Sequence, residues 1–97
     1  MRIGTIVKAE PFPEAHKPAY KLIIDFGPLG LKRSSAQITD RYDFKALAGR
    51  RVAAVVNFPP KQIGPLMSEV LVLGALTDDG VALLNVDDGA ENGARIA

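Results

Sequence analysis

The pair Pro59-Pro60, set between two apolar runs, constrains this chain more than any other feature. Each proline fixes φ and removes a backbone donor, so no strand ladder runs through both. The stretch from Val55 to Ala75 therefore predicts a buried strand ending at Asn57-Phe58, a rigid loop on an extended path, and a second apolar strand beginning near Met67. Between the two core runs stand Asn57, Lys61, Ser68 and Glu69. Polar side chains on a loop held by a rigid scaffold are a common form of binding surface.

At 97 residues the chain is expected to be one domain, 1–97, with a single core and no room for a deep catalytic cleft with its own lid. Hydrophobic residues make up 47% and charged ones 24%, the balance of a folded globular protein rather than a disordered one. With 12 Lys+Arg against 11 Asp+Glu, binding to nucleic acid has to come from local clusters of charge. The absence of cysteine excludes disulfides, thiolate metal sites and a cysteine nucleophile. The N-terminus has no continuous apolar segment and no run reaches membrane-spanning length, so a soluble cytoplasmic chain without membrane insertion is expected.

Arg2 to Ala9 suits a first strand with Ile3, Thr5 and Val7 on one face. Pro11, Pro13 and Pro18 then make an extended connection. Ala19 to Phe26 and Leu31 to Ser34 flank the turn Gly27-Pro-Leu-Gly30 as a hairpin. Ser34 or Ser35 is placed to cap a short helix through Ala36, Gln37 and Ile38, and Asp43 to start a second turn carrying Phe44 and Leu47, with Gly49 as its stop. Val52 to Val56 gives a fourth strand, Val70 to Leu76 a fifth, and Asp78-Asp79-Gly80 a tight turn into Val81 to Leu84. Such an order predicts an all-β fold: a five-stranded antiparallel OB barrel with a short helix between strands 3 and 4.

Catalytic constellations are thin. His16 lies in a proline-rich segment with no serine or cysteine partner in view, and is expected on a loop surface. Asp78-Asp79 and Asp87-Asp88 are each followed by glycine and are explained by turn chemistry, without calcium-loop spacing. No enzyme activity, metal site or cofactor is expected. Lys32, Arg33 and Lys61 would form one basic patch beside Phe58 if the β-hairpin meets the proline loop. That patch suits phosphates with a stacked base, and equally an extended peptide.

The segments Pro18-Ala-Tyr-Lys-Leu, Ser34-Ser-Ala-Gln-Ile-Thr, Val55-Val-Asn-Phe-Pro-Pro-Lys and Ser68-Glu-Val-Leu-Val-Leu-Gly-Ala75 carry a resemblance. In register over nearly the whole chain, they resemble the CsaA family of export-related chaperones, within a wider group of tRNA-binding OB domains that includes the appendix of methionyl-tRNA synthetase. The resemblance implies a homodimer that binds unfolded or precursor polypeptides and works with the export machinery; a tRNA-binding module is the alternative. By motif matching it implies contacts at Lys32, Arg33, Ser34, Ser35, Gln37, Asn57, Phe58, Lys61, Ser68 and Glu69. Family members usually carry a short helical segment before the first strand, whereas Met1-Arg-Ile-Gly4 opens directly on it, which changes the expected dimer contacts. Leu66, Met67 and Ile96 are the residues expected to form that interface, as apolar side chains left over by a small barrel.

Overall fold

A computed structural model describes residues 1–97. Its main sheet is built from β1 (Arg2–Pro11), β2 (Tyr20–Asp25), β3 (Leu31–Ala36), β4 (Arg51–Val55) and β7 (Leu71–Val72). These five pair in the order β3-β2-β1-β4-β7, every pair antiparallel. Two small hairpins complete it: β5 (Lys61–Ile63) with β6 (Leu66–Ser68), and β8 (Gly74–Thr77) with β9 (Gly80–Leu83). The sheet curls into a nearly closed barrel around Ile6, Leu22, Ile24, Phe26, Val52 and Val70, all essentially without solvent contact. This is the OB architecture expected from the sequence.

The inward face of β1 differs from the expected one. Gly4 and Ile6 are buried while Val7 is 47% exposed, and the register with β2 shifts between Ile6 and Lys8. A glycine occupies the core position because there is no space for more: a Cβ there would lie 2.6 Å from Ile24 Cγ2 and 2.8 Å from the Phe26 ring. The extra residue at Val7 is a β-bulge, which bends the strand around the barrel.

Between β3 and β4 the chain makes one short 3₁₀ turn, Phe44–Ala46, capped by the Asp43 carboxylate accepting from Lys45 N–H at 3.1 Å. Gly49, at φ +89, ends the segment. Ser34 and Ser35 cap no helix. Both lie within β3, opposite Leu22 and Lys21. Tyr42 anchors this connection, its hydroxyl accepting from Leu83 N–H at 2.9 Å and its carbonyl accepting from the Tyr20 hydroxyl at 2.7 Å.

The run Val70 to Leu76 is not one strand. Leu71–Val72 pairs with β4, and from Gly74 the chain leaves the barrel to form the β8–β9 hairpin, with Asp78-Asp79 as its two-residue loop. At the other end of the chain the tail lies along β1. Gly93 N–H donates to Ile3 C=O at 2.7 Å and Ile96 N–H to Met1 C=O at 3.0 Å. No helix is long and apolar enough to cross a membrane.

Candidate ligand-binding groove

The proline loop does not run extended to Met67. After Phe58 and the prolines it turns back on itself as the β5–β6 hairpin, with Gly64 at φ +52 in the turn. A Cβ on Gly64 would lie 3.1 Å from the carbonyl oxygen of Glu14, so the hairpin tip meets the β1–β2 loop. Those two loops border the strand 2–3 face on which OB folds bind their ligands.

Between them lies a cavity of about 400 Å³. Ala15, His16 and Lys17 of the β1–β2 loop form one wall. Phe58 and, from the hairpin, Lys61, Ile63 and Ser68 form the other. Ser35 and Gln37 of the β3 edge, with Val70 and Leu71, complete it. No carboxylate lines the cavity, and neither Lys17 nor Lys61 takes part in an ion pair.

Of the residues expected to contact ligand, Ser35, Gln37, Phe58, Lys61 and Ser68 are brought together here. Lys32, Arg33, Ser34, Asn57 and Glu69 are not among the lining residues. Ser34 is fully buried, its hydroxyl donating to Val70 C=O at 3.0 Å. Arg33 and Glu69 are turned to each other, with Arg33 Nε 3.2 Å from Glu69 Oε1. Burial pushes the Glu69 carboxyl up, but the hydrogen bonds from the Arg33 backbone and guanidinium and the charges of Arg33 and Lys32 outweigh it and hold the group below its ordinary value. The expected patch of Lys32, Arg33 and Lys61 is thus not assembled at the groove, because Arg33 spends its charge on Glu69. Lys17 takes its place beside Lys61.

Ser68 serves two purposes. It lines the cavity, yet it is only 7% exposed and its hydroxyl accepts from Ser35 N–H at 3.1 Å. Ser34, Ser68 and Glu69 all tie β3 to the segment before β7, which makes them closures of the barrel. His16 and Lys17 were not expected at the site; the only sequence signal for them was their place in the connection between the first two strands. Leu66, expected in the exposed apolar area, is buried at 9% exposure because it fills the underside of its hairpin. Met67 on the opposite face is exposed, and Ile96 is half-buried on a tail tied to β1.

A nearly closed antiparallel OB barrel with a lined groove between its first loop and its fourth has the form of a ligand-binding module. Residues 1–95 match the tRNA binding domain family. The crystal structure of the CsaA chaperone protein from Picrophilus torridus superimposes with a TM-score of 0.92 at 57% identity, covering 99% of this chain and 89% of that one. The chaperone CsaA from Bacillus anthracis gives 0.92 at 52% identity, covering 99% and 88%. A methionyl-tRNA synthetase-related protein from Pyrococcus horikoshii gives 0.86 at 32% identity, covering 99% and 87%. Methionine–tRNA ligase of Bdellovibrio bacteriovorus is 36% identical over 97 residues, 99% of this chain, which spans 14% of that enzyme's length. This chain belongs to the tRNA binding domain family and, within it, to the CsaA chaperone family.

Proposed function

We propose that this chain is an export-related chaperone that holds unfolded or precursor polypeptides in the groove between the β1–β2 loop and the β5–β6 hairpin. The observation that carries the reading is the composition of that groove: Ala15, Ala19, Phe58, Ile63, Val70 and Leu71 give it an apolar floor, with Ser35, Gln37, Ser68 and two lysines around it. An apolar hollow with a few polar groups suits an extended polypeptide segment. The chain acts by binding and not by catalysis, as one domain, in the cytoplasm, before clients reach the export machinery. Loss of binding to an unfolded secretory precursor in Phe58→Asp, with the melting temperature retained, is the expected test result; retained binding places the site elsewhere.

The chaperone works as a homodimer in this reading. Leu76 on β8 is 90% exposed, Met67 37%, and β8 pairs only with β9. An apolar strand with an open edge is a pairing hazard that a two-fold partner covers. Light scattering coupled to size exclusion at tens of micromolar should give twice the chain mass of 10.4 kDa. A Leu76→Lys variant should give the monomer mass.

A second reading is binding of tRNA. It is favoured by Lys17 and Lys61, which face the groove without carboxylate partners, and by the tRNA binding domain match. The net charge of +1 weighs against it, since each phosphate contact needs a cation.

A further inference from the structure

The outer edge of β3 is only partly covered. Along an antiparallel strand, residues whose N–H and C=O face one neighbour alternate with residues whose groups face the other side. Arg33 fixes the phase here: its C=O accepts from Glu69 N–H at 2.8 Å and its N–H donates to the Glu69 carboxylate at 3.1 Å. Odd-numbered residues therefore face away from β2. Ser35 is the next, with its N–H donating to Ser68 Oγ at 3.1 Å. Past that bond nothing crosses the seam. The Ser35 C=O meets only the Ser34 hydroxyl, at 3.4 Å, and no hydrogen bond within the chain engages Gln37 through backbone or side chain. Here β3 and β7 part around a second cavity of about 210 Å³, between Ala36 and Ile38 on one side and Leu71, Val72 and Val81 on the other.

The end of this edge, where the Ser35 C=O has only a long side-chain contact and the Gln37 backbone just past β3 has no partner, lies beside an apolar hollow and matches the main chain of another polypeptide. We propose that an extended client segment adds to β3 as a short strand at Ser35 and Gln37, hydrogen-bonded main chain to main chain, with alternate side chains laid against Phe58, Ile63 and Leu71. This rests on the polypeptide-binding reading and supplies its mode of recognition. Backbone pairing is indifferent to side-chain identity, so it serves clients of unrelated sequence, while the cavity selects apolar side chains at every second position. RNA fits the same place less well. Only two rings that can stack a base, Phe58 and His16, line the groove, whereas single-stranded RNA is commonly held on a longer row of them.

The test uses the full chain and a fluorescein-labelled nonapeptide of alternating Thr and Val with a Lys at each end, together with two N-methylated forms. One form carries methyl groups on the Val residues and the other on the Thr residues. N-methylation removes the N–H, and in an added strand only every second N–H faces the edge. One methylated form should lose about tenfold in affinity or more, and the other should stay within about twofold. Amide exchange at Gln37 should slow on addition of the unmodified peptide. Equal loss from both forms, no loss from either, or unchanged exchange at Gln37 overturns the strand-addition mode and leaves polypeptide binding standing. Failure of the unmodified peptide and of an unfolded precursor to bind, with tRNA bound, overturns both.

Discussion

Arg33 and Glu69 close the barrel through three contacts: Glu69 N–H to Arg33 C=O at 2.8 Å, Arg33 N–H to Glu69 Oε1 at 3.1 Å, and Arg33 Nε to the same oxygen at 3.2 Å. One carboxylate substitutes for a missing ladder bond. The exchange lets the segment after Glu69 turn away from β3 into β7 without a continuous β3–β7 ladder, and the gap that follows holds the second cavity, next to the groove.

Stability should therefore depend on the ionisation of Glu69. Its carboxyl is held below the ordinary glutamate value of about 4.3, so its contribution is fully present above that value and is lost as pH falls through the lower folded-state value. Glu69→Gln keeps an acceptor and removes the charge. Urea midpoints should differ between the two proteins at pH 7 and converge near pH 3. An equal difference at both pH values would show that the carboxylate charge adds nothing.

Ser34→Ala should destabilise the fold without creating a surface defect. The hydroxyl is buried and satisfies Val70 C=O, whose other contact is Ser68 Oγ at 3.4 Å. Leaving a buried carbonyl with only that long contact costs on the order of 1 kcal/mol, part of the roughly 1–3 kcal/mol of a fully stranded one. For a domain of this size each kcal/mol is roughly 4–8 °C in melting temperature. A thermal melt that moves by less than about 2 °C would contradict the closure role argued from that scale.

Much of this architecture is legible in the sequence. The β2–β3 hairpin announces itself by Gly27-Pro-Leu-Gly30, the β8–β9 hairpin by Asp78-Asp79-Gly80, and the 3₁₀ turn by Asp43 and Gly49. What misleads is local ambiguity resolved by tertiary contacts. Ser34-Ser35 satisfies the preferences of a helix cap, but a buried serine with a carbonyl acceptor across a seam is equally at home in a strand. Gly4 occupies a core position, so an apolar count assigns β1 the wrong face. The three-residue strands β5 and β6 are too short for any periodicity to show, which hid the hairpin in the proline loop. Five of the ten expected contact residues line the groove because the motif tracks that loop and the end of β3; the others carry the same motif for barrel closure or lie outside the groove.

Lys61→Ala separates binding from folding. Lys61 is exposed, takes part in no ion pair and lines the groove, so its loss should weaken ligand binding several-fold while the melting temperature stays within about 2 °C. Unchanged affinity for both polypeptide and tRNA would remove the hairpin from the site.

Polypeptide binding in the groove is tested most directly by titrating the purified chain with an unfolded secretory precursor and with tRNA, each at about 50 mM and about 200 mM salt. The groove's apolar floor and its two free lysines predict precursor binding that changes less than about threefold between the two conditions, and tRNA binding that is weaker and falls steeply. Steeply salt-dependent binding of tRNA with no binding of the precursor at either salt would contradict the account.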